Sequence, residues 1–182
     1  MKRAYCLAGL PASGKTTVGA ILERMGHDVF YMGHIVEEQA KQRYGENVSV
    51  EDIARVANKL RSTYGEDIVA VNTIELMKDA TDTVIIEGVR STEEYEAFER
   101  VFEETHLVVI EASRRTRTDR AREDTREIVS YEELRDLDNR DLKLGLKNLI
   151  EEKDVFYTIE NDSSYDSLLN EVNSFVEEAE NL

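Results

Sequence analysis

The chain has 182 residues, 41% hydrophobic and 34% charged, and its 39 Asp+Glu against 23 Lys+Arg leave a formal net charge of −16. That length fits a single domain with a proper core, and the acid excess argues against nucleic acid as the main ligand, because backbone phosphates need a basic surface. No apolar run reaches the length of a membrane-crossing helix, and the lone Cys6 excludes an internal disulfide framework.

In chain order, Ala4 to Ala8 reads as a short buried strand, and Gly14 to Met25 as a helix with Val18, Ile21, Leu22 and Met25 on one face. A signal peptide is not expected in MKRAYCLAGL, because Ser13, Gly14 and Lys15 cut the apolar stretch short. DVFYM (28–32) is a second strand, followed from Gly33 by a polar helix to Arg43. Two more helices, Asn47 to Tyr64 and Glu66 to Asp79, are separated by Gly65, a C-terminal stop. TVII (83–86) is β-branched and reads as a central strand. Ser91 with Glu94 is a capping box for a helix from Thr92 to Phe102. HLVVI (106–110) is another strand, and an arginine-rich helix starts at Ser113. Ser130 with Glu133 is a second capping box, opening one long helix to about Lys153. Val155 to Ile159 is the last strand and Ser164 to Glu180 a closing amphipathic helix.

Strand and helix alternate, which predicts an α/β domain with a mostly parallel sheet. The whole chain, 1–182, is expected to be one domain, with 33–79 as a helical insertion over one end of the sheet and 113–129 as a lid segment. The acidity has two readings: a solvated surface that keeps a small cytoplasmic protein soluble, or adaptation to a salt-rich cytoplasm. The single cysteine fits a reducing cytoplasm. A monomer or homodimer is expected.

GLPASGKTT, Gly9 to Thr17, carries the chemistry. It satisfies G-x-x-x-x-G-K-[ST] through Gly9, Gly14, Lys15 and Thr16, and it lies after a buried strand and opens a helix, where that motif must lie. The backbone from Gly9 through Pro11, Ala12, Ser13, Gly14 and Thr17 is expected to turn its N–H groups around a phosphate, helped by the helix N-terminus. Lys15 supplies an ammonium to the terminal phosphates, and the Thr16 hydroxyl is placed to ligate Mg²⁺. A nucleoside triphosphate, ATP, is the expected ligand.

Glu87 ends the central strand, where a carboxylate either reaches the Mg²⁺ shell or merely faces solvent. Gly88 permits close approach of a ligand, and the planar fork of Arg90 suits a second phosphate. SRRTRTDRAREDTR (113–126) places Arg117 and Arg120 on one helical face, and Arg122 with Arg126 likewise. These arginines either pair with Asp119, Glu123 and Asp124 or form a lid closing on the transferred phosphoryl group, and Arg140 approaches from the next helix.

Together these segments resemble the P-loop kinases of the adenylate kinase and dephospho-CoA kinase type. The resemblance is closest to an archaeal uncharacterised-protein family of small adenylate-kinase-related ATPases. It rests on GLPASGKTT, MGHIVEE, IARVANKLRSTYGEDIVA, IIEGVRSTEEYEAF, IEASRRTR and RDLDNRDLKLG, and it covers essentially the whole chain. It implies a three-layer P-loop NTPase sandwich with a five-stranded parallel sheet, and transfer of the γ-phosphoryl group of ATP–Mg²⁺ to a nucleotide-like small-molecule acceptor. It assigns Lys15 and Thr16 to the donor phosphates, Arg90 to the acceptor phosphate, Arg117, Arg120 and Arg122 to the lid, and Asn161 to the base-stacking side.

One segment departs from the family. Where it has M-G-D-x-x-R, this chain has Met32, Gly33, His34 and then Glu37. A glutamate would repel an acceptor phosphate, and Lys41 or Arg43 are the stand-ins. His34 is then either a base near the acceptor or a surface histidine. The alternative function is a nucleotide-dependent ATPase or switch that acts on a macromolecular partner after losing its acceptor site.

Overall fold

The structure, a computed structural model, describes residues 3–123 and 131–182. Five strands form one parallel sheet: β1 (Arg3–Ala8), β2 (Asp28–Tyr31), β3 (Thr83–Glu87), β4 (Glu104–Glu111) and β5 (Val155–Glu160). Their spatial order is β2-β3-β1-β4-β5. The chain leaves β1 towards one edge and later crosses to the other, which opens a crevice beyond the carboxyl ends of the central strands. β1 is apolar almost without interruption because helices cover both faces of the sheet.

Alternation along β1 feeds two cores. Tyr5 and Leu7 face α1 (Lys15–Arg24) and α9 (Tyr165–Glu180), where Val18, Ile21, Leu22, Leu168, Val172 and Phe175 are buried. Ala4, Cys6 and Ala8 face the second core. It is built by α2 (Met32–Tyr44), α3 (Val50–Tyr64), α4 (Ile68–Glu75), α5 (Thr92–Glu99) and α8 (Leu146–Glu152), with Met32, Met77, Phe98 and Leu149 among its members. Two further helices, α6 (Arg114–Glu123) and α7 (Tyr131–Leu144), pack on each other beyond β4.

The expected sandwich is present, with corrections at particular places. The long helix to about Lys153 is two helices: Gly145, at φ 114°, interrupts it, and a Cβ there would sit 3.3 Å from the Ser91 Cβ. Its expected capping residue Ser130 lies outside the described residues, as does Arg126. Of the 33–79 helices, α3 and α4 are shorter than expected, while α2 runs one residue further at each end. Ser49 caps α3 in a capping box with Asp52, so the helix starts at Val50 and not at Asn47. Met25 is not on the buried face but is the 40% exposed C-cap of α1.

Candidate functional site

The loop between β1 and α1 has the shape its glycines predict. Gly9 stands where a Cβ would run into the Ile110 carbonyl oxygen, and Gly14, at φ 99°, where one would run into the Asn161 side-chain amide. Ala12 is the only non-glycine with positive φ among the described residues, at 60°. Gly14 caps α1 without a side-chain hydrogen bond, so the first N–H groups of that helix stay open to an anion.

Lys15 is buried, and its Nζ donates to the Leu10 carbonyl at 3.0 Å. Burial pulls its ammonium from the ordinary 10.5 down to about 8, while the neighbouring Glu87 carboxylate pulls the other way. The Thr16 hydroxyl lies 3.5 Å from Glu87 Oε1. The β1–β3 register explains this meeting, because Leu7, the penultimate residue of β1, pairs with Glu87, the last of β3. Glu87 is buried and does not merely face solvent. A hydroxyl and a carboxylate are the hard oxygen donors that Mg²⁺ takes, so these two residues fit that ion.

Arg117 and Arg120 reach this loop, but its outer side. Arg117 forms a two-pronged pair with Asp138, 2.7 and 2.9 Å, and donates to the Pro11 carbonyl at 3.1 Å and the Ala112 carbonyl at 3.3 Å. Both partners are buried. Arg120 donates to the Ser13 carbonyl at 3.3 Å and to the Asn161 carbonyl and side-chain oxygens at 2.8 and 2.9 Å. Asn161 is buried and donates its own amide to the Ser13 carbonyl at 2.8 Å, so it supports the loop and presents no open stacking face. Arg122 stays apart, exposed and 4.0 Å from Asp119.

Across the site lies a cavity of about 190 Å³. Met32, Val36, Ile53, Ala57 and Val69 form its apolar wall, and Arg61, Arg90 and Arg140 its cationic one. Arg61 is buried and donates to Glu94 Oε1 at 2.8 Å. The other Glu94 oxygen accepts the Arg90 backbone N–H at 2.9 Å. Asp141, also buried, lies 3.6 Å from Arg90 Nε and 3.3 Å from Arg140 Nε. Among the described residues, Arg90 Nε itself has no hydrogen-bond partner.

The departures noted in the sequence fall outside this cavity. Glu37 turns to Lys41 at 3.0 Å, an ammonium it shares with Glu38, and Met32, Gly33 and Val36 are the α2 residues that line the cavity. His34 is exposed, its ring 4.8 Å from that of Tyr31, and it lines a groove at the β2 edge with Val29, Phe30 and Leu76. The structure therefore does not bring His34 to Lys15 or Arg90. Sequence reasoning missed Arg61, Asp138 and Asp141. Arg61 continues the apolar stripe of Ile53 and Ala57 at helical spacing, and the two aspartates lie three apart in a polar helix. Both patterns mark charges turned inward.

A protein-family profile described as an AAA domain matches residues 6–140. A UPF0200 protein of Hyperthermus butylicus is 37% identical over 147 residues, which cover 79% of this chain and 78% of that one. Among solved structures, a shikimate kinase from Bacteroides thetaiotaomicron matches with a TM-score of 0.57 at 16% identity, covering 98% of each chain. A gluconokinase from Sinorhizobium meliloti matches at 0.53 and 14%, covering 97% of this chain and 95% of its own. At such identities the structural likeness is one of fold, a five-stranded parallel sheet with helices on both faces. The chain belongs to the AAA-domain family that this profile describes and to the UPF0200 family.

Proposed function

From that membership, we propose that the protein is a phosphotransferase that moves the γ-phosphoryl group of ATP, with Mg²⁺, to a nucleotide-like small-molecule acceptor. The observation that carries this reading is the junction of two half-sites. Lys15 and the Thr16–Glu87 pair lie at the loop, and an arginine-walled cavity begins directly after Glu87, at Gly88 and Arg90. Loop amides, the α1 N-terminus and Lys15 hold the donor phosphates. Bound Mg²⁺ would neutralise charge on the β- and γ-phosphates.

Arg61, Arg90 and Arg140 face two buried carboxylates, Glu94 and Asp141. Among the described residues lining the cavity the arginines outnumber the carboxylates, which favours an acceptor with an anionic group. Apolar side chains cover the rest of the acceptor and keep water from the reaction. The presence of an arginine-walled cavity favours this reading over an ATPase switch without an acceptor.

The test is incubation with ATP–Mg²⁺ and a panel of AMP, CMP, UMP, GMP, their deoxy forms and dephospho-CoA, with products read by mass. ADP release that depends on one acceptor, with a product heavier by one phosphoryl group, supports the kinase. Release indifferent to every acceptor supports the switch. Lys15→Ala should abolish turnover, and activity surviving in that variant would overturn the site.

A further inference from the structure

The arginines of α6 carry an inference of their own, which rests on the donor-site reading. We propose that Arg117 and Arg120 are positioning residues of the P-loop, which set its phosphate-binding conformation by gripping its carbonyls from outside and do not close on phosphate as a lid.

The hydrogen-bond inventory points this way. Of the five N–H groups of a guanidinium, Arg117 spends four on Asp138, Pro11 and Ala112. It is 3% exposed, and swinging its guanidinium onto a transferred phosphate would break a buried ion pair. Arg120 spends three on Ser13 and Asn161. Both side chains are anchored at their far ends, Arg117 by Asp138 of α7 and Arg120 by Asn161 just after β5.

The two gripped carbonyls, Pro11 and Ser13, flank Ala12. A trans peptide is planar with its C=O and N–H opposed. Fixing the Pro11 oxygen towards α6 therefore aims the Ala12 N–H away from α6, and fixing the Ser13 oxygen does the same for the Gly14 N–H. Neither of those N–H groups has a protein acceptor among the described residues. Between them, Ala12 is held at φ 60°, a left-handed conformation that costs an L-residue about 1–2 kcal/mol. The groups outside the loop that hold its flanking carbonyls are the two guanidiniums and the Asn161 amide, which Arg120 itself orients, and together they impose that conformation. Donor affinity thus depends on α6, α7 and the end of β5, through residues that do not touch the nucleotide.

The experiment uses the full chain and three variants: Arg120→Ala, Arg120→Lys, and Arg120→Ala combined with Ala12→Gly. ATP–Mg²⁺ affinity is measured by calorimetry, and amide hydrogen exchange of residues 9–17 is measured in the free protein. The expected result is affinity about tenfold weaker in Arg120→Ala, with faster exchange in the loop. Arg120→Lys should lose nearly as much, because an ammonium cannot span Ser13 and Asn161 as the fork does. Ala12→Gly should recover roughly fivefold in the Arg120→Ala background, since glycine takes the left-handed conformation without help. A residue contacting phosphate gives the opposite pattern, with affinity kept by lysine, no recovery by glycine and unchanged exchange, and that result overturns the proposal. So does wild-type affinity in Arg120→Ala. The exchange measurement needs no nucleotide. If the wild type binds no triphosphate the donor reading fails, while faster exchange in Arg120→Ala still supports the brace and unchanged exchange still refutes it.

Discussion

With Lys15 as the proposed ligand of the donor phosphates, nucleotide binding should depend on pH in an unusual window. Its ammonium is the charge that the donor phosphates need, yet burial, partly offset by Glu87, holds it at about 8 in the free protein. At pH 7 about nine-tenths of the molecules carry the proton, and at pH 9 about one-tenth, as follows from a single titration at 8. A bound polyphosphate raises the value again, so the complex must take up the missing proton. Affinity for ATP–Mg²⁺ should therefore fall about tenfold between pH 7 and 9, a range above the second phosphate ionisation near 6. Calorimetry at pH 8 in buffers of different ionisation heat should show uptake of about half a proton per nucleotide. The sign is opposite for stability. Above 8 the unfolded chain still holds its lysine proton while the folded chain has lost it, so this group adds stability as pH rises towards 10.5. Loss of affinity over this window thus runs against this group's own effect on folding. The other charges facing Lys15 are Glu87, Arg90, Asp141 and Arg117. Flat affinity from pH 7 to 9, with no proton uptake at pH 8, would refute the argument that a buried, half-deprotonated Lys15 is the phosphate ligand.

Two substitutions probe the loop and its support separately. Gly14→Ala puts a Cβ against the Asn161 amide at a φ of 99°, and triphosphate affinity measured by calorimetry should drop at least about tenfold; wild-type binding would show that the loop adjusts freely. Asp138→Ala leaves Arg117 buried without its carboxylate, which should cost about 3–5 kcal/mol in denaturant unfolding. A loss below about 1 kcal/mol would mean that water reaches the guanidinium as in an exposed pair.

What the residue order makes legible is what depends on near neighbours in the chain. The P-loop is such a case: Gly9, Gly14, Lys15 and Thr16 sit in one nine-residue stretch, and the backbone conformation they need is local. The same holds for the apolar strands and for half of the expected Ser91–Glu94 capping box: the Ser91 side chain accepts the Glu94 N–H at 3.2 Å, while the Glu94 carboxylate turns to Arg61 and the Arg90 N–H. The glycine break at 145 was equally local, but the polar helical pattern continues across it and masked it.

Partner choice was not legible in this way. Arg117 and Arg120 share a helical face, as their spacing says, yet whether that face meets a phosphate or a carbonyl depends on where α7 and the end of β5 bring Asp138 and Asn161, 21 and 41 residues further on. Likewise, the missing arginine after β2 pointed to Lys41 or Arg43, whereas the cavity draws its arginines from α3, the turn after β3 and α7. Sequence alone determined that this chain folds as a parallel α/β sheet with a phosphate loop at the end of its first strand, because periodicity and glycine placement are properties of short segments. Which charges are buried, and against which partners, was decided only when distant segments packed, because burying a charge demands a counter-charge whose position the chain's own order does not state.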